Sequence, residues 1–578
     1  MKATQYILHA IASEGVKHVF MVPGGLIDPF YPDLGGPAGI RPIVAAHEGG
    51  AAYMADGYAR ASGRLGVCFA IGGPGVTNTV TALATALTDR SAVLLISGEV
   101  PTDWEGRGGF QDASASGLND IEILRPVTAY SMEVEDAHLL DHHLRSALAK
   151  TLMPESSPVH LSVPRNIQTA EIQSEYSPIF PALYQHRFVD KEALSAFWDL
   201  LVPGRTFSEC ATRVAILAGQ GVESSRCGDA LQKFAERYHI PIATTLRAKG
   251  VVPEDHPLSF GVFGYSGTRH ATELLLGQMD ILLVLGSGLN QRDTMYWNEA
   301  LRPSRGIVQV DLDASAIARN FPVNVGVVGD CGKAIQALMD ADNELLRWLD
   351  GGKTDRQNWI ETVRSSGPLL YDAENCVSNE TPIHPARVIT ELRNVMPRDT
   401  VALVDSGAHR AFAGHYWKSY GPSQYISATN LGPMGWAIPA GIGAKLARPQ
   451  FPCVVITGDG CMLMHGMEVQ TAARFGVPVI WVVVNNGALG NVYLRAKKQG
   501  PGPAALTSLP IHDWAGFARS LGAEGATVEA PEELAPAFKA ALEAGRPYVV
   551  DVRCGKDYPT PVTPWSVAAK EWMDNHHY

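Results

Sequence analysis

Apolar, β-branched runs that end in small or oxygen-bearing residues punctuate this chain. Two carry the clearest signal. Val454-Val455-Ile456-Thr457 runs into Gly458-Asp459-Gly460, and Val482-Val483-Val484 runs into Asn485-Asn486-Gly487. Short uninterrupted runs of this kind read as strands buried on both faces of a parallel sheet. Upstream, helical spacing of apolar positions over 3–14, 49–61 and 76–88 alternates with strand-like runs over 18–21, 65–70, 92–97 and 159–163. Further strand-like runs lie at 214–217, 281–285, 307–312 and 401–404. Strands alternating with helices predict parallel sheets covered by helices on both faces. A chain of 578 residues is too long for one core. The pattern therefore predicts an α/β protein with three consecutive doubly wound parallel-sheet domains, at residues 1–170, 190–345 and 375–555, and a tail over 556–578. The connector Tyr176-Ser177-Pro178-Ile179-Phe180-Pro181 and the polar stretch Asp350-Gly351-Gly352-Lys353-Thr354-Asp355 mark the joints.

Composition narrows the class. Hydrophobic content of 46% and charged content of 18% describe an ordinary globular protein. A net charge of −12 and a pI of about 5.8 disfavour nucleic acid and anionic membrane as partners. Eight scattered cysteines without a Cys-x-x-Cys fit a reducing cytoplasm. No apolar run reaches the roughly 18 residues of a membrane span, and the N-terminus lacks a signal-peptide core.

In a parallel sheet, ligands bind outside the carboxyl ends of the strands. Asp459 and Asn486 therefore emerge at one edge and offer hard oxygen ligands suited to Mg²⁺. The adjoining glycines let backbone approach a phosphate. A helix predicted over 462–475 would turn its N-terminus to the same anion. Each piece alone is a common turn; two such pieces, each after a strand, are harder to dismiss.

The pair resembles the metal and diphosphate motif of the thiamine diphosphate-dependent enzymes. That family implies a pyrimidine-binding first domain, a central domain and a diphosphate-binding third domain. The segment Ala45-Ala46-His47-Glu48-Gly49-Gly50 resembles its catalytic glutamate motif. Standing alone, Glu48 would read as a carboxylate stabilised by a helix N-terminus. By the resemblance it hydrogen-bonds the aminopyrimidine ring and shares a proton with it. Leu431-Gly432-Pro433-Met434 resembles the segment that bends the cofactor: Met434 as an apolar wedge, Gly432 accepting through its carbonyl. Asp405-Ser406-Gly407-Ala408-His409 resembles a second diphosphate loop, with Ala408 where acetolactate synthases usually carry glutamine.

The resemblance carries further residues into the site. Ser406, Gly407, His409, Gly458, Gly460, Cys461, Leu489 and Gly490 would contact the cofactor, with Pro23, Gly24 and Asn78 from the first domain. The metal would take the side chains of Asp459 and Asn486 and the carbonyl of Ala488. Gly72-Gly73-Pro74-Gly75, Ser97-Gly98-Glu99-Val100-Pro101 and Gly109-Phe110-Gln111-Asp112 look most like the acetolactate synthase branch. There Gln111 would hydrogen-bond a substrate carbonyl; Phe110 reads equally as a site residue and as packing. Gly25, Leu26, Val492 and Tyr493 would line the substrate pocket. Val492 holds the position where a protonating acid would stand, which leans toward carboligation.

The implied activity is thiamine diphosphate- and Mg²⁺-dependent making or breaking of a C–C bond next to a carbonyl, acetolactate synthase-like. A benzoylformate decarboxylase-like enzyme, a sulfoacetaldehyde acetyltransferase-like enzyme and a 2-hydroxyacyl-CoA lyase are alternatives. A non-catalytic member used for binding or assembly would be expected to lack Glu48 or Asp459. FAD or ADP in the central domain is open, beside a nucleotide-free scaffold. Family members pair first and third domains across subunits, so a homodimer or a dimer of dimers, a homotetramer, is expected.

Overall fold

The computed structural model of the chain describes residues 1–153, 155–179, 187–202 and 212–576. The first sheet holds β1 (His18–Met21), β2 (Arg41–Val44), β3 (Gly66–Ile71), β4 (Val93–Glu99), β5 (Tyr130–Glu133) and β6 (Val159–Pro164), in the order β2-β1-β3-β4-β6-β5. The central sheet holds β7 (Val214–Ala218), β8 (Ile242–Thr244), β9 (Ser259–Val262), β10 (Ile281–Leu285), β11 (Gly306–Asp311) and β12 (Val325–Val328), ordered β12-β11-β10-β7-β8-β9. The third holds β13 (Val401–Val404), β14 (Tyr425–Ile426), β15 (Cys453–Gly458), β16 (Ile480–Asn485), β17 (Glu524–Val528) and β18 (Tyr548–Arg553), ordered β14-β13-β15-β16-β18-β17. All pairings are parallel. The expected three α/β domains are therefore present. The first and third sheets share one topology strand for strand. The central sheet has the 3-2-1-4-5-6 order common among dinucleotide-binding domains.

The first and third domains share a core. Helix Glu48–Ser62 crosses helix Ala437–Ala447, and their small residues let the backbones touch. A Cβ on Gly57 would lie 2.1 Å from the Ala440 carbonyl oxygen, and one on Gly443 1.9 Å from that of Met54. Beside the crossing, the buried indole N–H of Trp436 donates to Asp56 Oδ2 at 2.7 Å.

Two expectations need correction. The helix predicted over 462–475 is two helices, Asp459–His465 and Glu468–Phe475, broken at Gly466-Met467 and begun at the aspartate itself. The polar stretch 350–355 is no joint: helices Asn343–Gly351 and Lys353–Ser365 run through it, and Leu349, Trp359 and Ile360 enter the central core. The tail over 556–578 carries a helix of its own. Its helix Thr563–His576 turns back onto the central domain, where Trp565 meets Tyr265 and Tyr296 with ring centroids 5.3 and 4.9 Å apart. Of the connector, Tyr176 and Ile179 are buried against the first domain; Phe180 and Pro181 lie outside the described residues.

Candidate active site

In the third sheet the strand order reverses between β13 and β15, the switch point where α/β folds open a ligand crevice. The loops leaving β13, β15 and β16 enclose a cleft of about 660 Å³. Ser406, Gly407 and His409 line it after β13; Gly458, Asp459, Gly460 and Cys461 after β15; Asn486, Ala488, Leu489, Gly490 and Val492 after β16. Met434 closes one side. Gly432 stands just outside, with φ of +67° and room for a Cβ 3.6 Å from Ser406 Oγ.

Asp459 is buried and pre-oriented. Its Oδ1 accepts the N–H of Gly460 at 2.8 Å, and its Oδ2 those of Gly487 at 2.7 Å and Ala488 at 3.3 Å. Asn486 Oδ1 accepts from the Ala488 N–H at 3.2 Å. Burial pushes the Asp459 carboxyl above its ordinary range, and these N–H groups pull it back. Asp405, a role sequence reasoning missed, ties three segments together. It accepts from the Ser406 and Gly435 N–H groups at 2.9 Å each and from Thr457 Oγ1 at 3.0 Å. Burial pushes it up to about 6.

The cleft is built for an anion with a hard cation. Helices Ala408–Tyr416, Asp459–His465 and Gly490–Lys497 all start on it. His409 Nε2 is buried with no hydrogen-bond partner among the described residues, and burial holds the ring neutral, down to about 3. A Cβ on Gly460 would meet Met434 Cε at 2.9 Å and Leu489 Cδ2 at 2.8 Å, so any larger residue there must displace the ends of these two side chains. One carboxylate, one amide oxygen and backbone carbonyls suit Mg²⁺ better than a thiolate- or imidazole-seeking metal. A magnesium diphosphate fits these residues. Among the described residues, no cluster of three His, Cys, Asp or Glu side chains forms a separate metal site.

The first-domain candidates form a second group, at the carboxyl ends of β1 to β4. Pro23 and Gly25 are exposed, and Gly24 exchanges hydrogen bonds with the Tyr31 hydroxyl. Leu26 is buried, its carbonyl accepting from Gln168 Nε2 at 2.8 Å. Glu48 is half-buried at the start of its helix, where Asn78 Nδ2 donates to its Oε2 at 2.9 Å. Phe110 is 84% exposed, and Gln111 beside it has φ of +63°. None of these residues lines the third-domain cleft of the same chain.

Tyr493 is also outside that lining: it is buried, with its hydroxyl on Asp557 Oδ1 at 3.3 Å. Conversely, Pro385, Phe412, Lys556 and Tyr558 line the cleft unannounced by any motif.

Family models match the chain in the same order as its three sheets. Residues 1–118 match the thiamine pyrophosphate enzyme N-terminal TPP binding domain, 209–338 its central domain, and 405–552 its C-terminal TPP binding domain. The chain belongs to the thiamine pyrophosphate enzyme family. Within that family it is similar to the probable acetolactate synthase large subunit of Methanocaldococcus jannaschii, 31% identical over 98% of this chain and 94% of that protein. The acetolactate synthase large subunit of Parasynechococcus marenigrum is 30% identical over 94% of this chain and 86% of its own length. A putative thiamine pyrophosphate-containing protein of Bacillus subtilis, YdaP, is 30% identical over 97% and 92%. This thiamine diphosphate-dependent enzyme thus stands on the acetolactate synthase branch. No helix among its described residues is long and apolar enough to cross a membrane.

Proposed function

We propose that the protein is a Mg²⁺-dependent carboligase that joins a 2-oxo acid donor to a second carbonyl compound, with each site built by two chains. One observation carries the choice of carboligation. Among the described residues, Asp459 is the only carboxylate lining the cleft, and on this reading it would be taken up by the metal. Val492, 44% exposed, stands in the wall and donates no proton. Thiamine diphosphate, when bound, would supply a thiazolium carbon that serves as nucleophile and electron sink next to a carbonyl. Asp459 and Asn486, with the Ala488 carbonyl, would hold the metal against the diphosphate. Met434 would keep water and polar groups from the cofactor, and Glu48, held by Asn78, would exchange a proton with the pyrimidine ring. Gln111 orients a substrate carbonyl.

The two-chain site is supported by the separation of the Glu48 group from the cleft of its own chain. A second chain, in a dimer or a dimer of dimers, would bring the missing half. Buried free thiols such as Cys68, Cys453 and Cys461 support a cytoplasmic setting. A nucleotide, FAD or ADP, is proposed for a cavity of about 630 Å³ lined by Arg247, Tyr265, Asn290, Arg292 and Thr429. Arg292 Nη1 is buried there with no hydrogen-bond partner among the described residues. The absorption spectrum of the purified protein, before and after heat release of small molecules, tests it.

The decisive assay identifies the products from pyruvate alone, then with added aldehydes, 2-oxo acids or acyl-CoAs. Carbon dioxide with a coupled hydroxyketone or hydroxy acid is expected. Free aldehyde as the only product at every acceptor concentration would replace the carboligase with a decarboxylase.

A further inference from the structure

Glu468 opens helix Glu468–Phe475 of the third domain, yet its buried carboxylate serves the first. Oε2 accepts the backbone N–H of Ala46 at 3.1 Å, and Oε1 accepts that of His47 at 3.2 Å. Thr471 Oγ1 donates to Oε2 at 2.7 Å. The two amides immediately precede Glu48. Gly50 makes the approach feasible, because a Cβ there would lie 1.9 Å from Glu468 Oε1. The preceding helix reinforces the contact. His465 sets its ring edge-on to His47 and Tyr53, with centroids 6.0 and 5.3 Å away. His47 in turn caps the helix of Glu48, its Nδ1 accepting the Gly49 N–H at 3.0 Å.

We infer that Glu468 is a positioning residue for Glu48, tying the turn that carries this glutamate to the helices that begin at the metal ligand Asp459 of the same chain. The inference rests on the role proposed above for Glu48. The chemistry calls for a carboxylate. Two converging N–H donors need two acceptor oxygens, and an amide would turn an NH₂ group toward one of them. If Glu48 serves the cleft of a partner chain, Glu468 links the metal end of one cleft to the glutamate of the other. Loading one site would then be felt at the second through a path of two short helices and two hydrogen bonds.

The test uses the full-length protein with Glu468→Gln, Glu468→Asp, Glu48→Gln and the double variant Glu48→Gln/Glu468→Gln. Hydrogen exchange of the peptide spanning residues 44–52 is read in unliganded protein. The Ala46 and His47 amides should exchange about tenfold faster in Glu468→Gln, as expected for a lost hydrogen bond. Turnover should fall about 10²-fold, the order expected for a misplaced catalytic group. Affinity for magnesium thiamine diphosphate should stay within about threefold, since the cleft is untouched. Glu468→Asp withdraws the same carboxylate by one methylene and should fall between the two, which keeps the test open if Glu468→Gln folds poorly. In the Glu48→Gln background the Glu468 change should cost nothing further, because both act through one group. Unchanged exchange at Ala46 and His47, or losses that multiply in the double variant, would overturn the inference. Full turnover in Glu48→Gln alone would remove the role of Glu48 while leaving the exchange result as a separate readout.

Discussion

Asp459 Oδ2 accepts the backbone N–H of Gly487 at 2.7 Å, across the gap between β15 and β16. One carboxylate thus fixes both its own loop and the loop that carries Asn486 and Ala488. Two loops so joined present a preformed cradle, and a metal needs little reorganisation to enter it. Asp459→Ala should therefore weaken magnesium-dependent cofactor binding by about 10²-fold or more, beyond the usual loss from a supporting contact alone. Calorimetric titration of the metal and cofactor into the variant checks this. Wild-type affinity in the variant would sink the metal assignment.

Glu48→Gln keeps the size of the side chain and an acceptor for Asn78, but it cannot exchange a proton. Loss of a positioned acid–base group costs roughly 10²–10⁴-fold. Exchange of the acidic ring proton of bound thiamine diphosphate, followed by NMR, should slow by that order while cofactor affinity holds. An unchanged rate would take Glu48 out of the chemistry.

How much of this was legible in the chain follows burial. The buried strands β1, β3, β4, β6, β7, β10, β11, β13, β15 and β16 read as apolar runs because both of their faces are covered. The six strands that escaped notice at the sheet edges, β2, β5, β9, β12, β14 and β17, are short, carry polar residues or glycine, or both, as in Tyr130-Ser131-Met132-Glu133. Two interior strands were also missed: β8 is only three residues long, and Asp551 interrupts the apolar run of β18. Asp459 and Asn486 were visible because each ends a buried strand. Asp405 stands in a loop that the strand pattern marks, but two of its three partners come from segments 30 and 52 residues away, and no local pattern announces them. Glu468 is similar: as a polar residue at a helix start it reads as an ordinary N-terminal carboxylate. Its amide partners lie 422 and 421 residues earlier.

Stability should depend on pH through the first domain. Glu99, wholly buried at the end of β4, accepts from the N–H groups of Val100 at 2.8 Å and Ala113 at 3.0 Å, anchoring the loop of Phe110 and Gln111. Burial, then the nearby Asp112 and Glu105 carboxylates, push it up to about 7. Asp120, holding the Gly73 N–H at 2.9 Å, is pushed to about 7 by burial and by Glu99. A carboxyl with a folded-state pKa above its unfolded value binds its proton more tightly when folded. Its contribution is complete below about pH 4 and vanishes as pH rises through about 7. Thermal melts should show wild type losing on the order of 2 kcal/mol across that window from Glu99. Glu99→Gln should flatten the decline and melt higher than wild type at pH 8. Parallel melting profiles for the two proteins would contradict the assignment.

The crossing of helices Glu48–Ser62 and Ala437–Ala447 leaves no space at Gly443, where a Cβ would lie 1.9 Å from the Met54 carbonyl oxygen. Gly443→Val forces the two domains apart at backbone level, a form of overpacking that costs about 3 kcal/mol. Lower thermal stability should be joined by weaker turnover, since the helix it would push against, that of Met54, starts with Glu48. A variant that melts with wild type would show that the domains do not depend on this contact.

Val492 separates the carboligase from its rivals most directly. Its side chain is 44% exposed and faces the cleft, so a carboxyl in its place remains partly hydrated and need not be expelled. Val492→Glu would set a proton donor beside the reacting carbon, where wild type offers only methyl groups. Proton delivery would then compete with attack on a second carbonyl. A positioned acid typically accelerates such a transfer by about 10²-fold or more, enough to reverse the partition between the two outcomes. The expected result is a shift from coupled product toward free aldehyde at unchanged cofactor affinity, read by chromatography of products at fixed acceptor concentration. Gln111→Ala should act in the other half of the site, lowering coupling more than it lowers cofactor binding. If Val492→Glu binds cofactor normally and still yields only coupled product, the wall around residue 492 does not govern the fate of the donor.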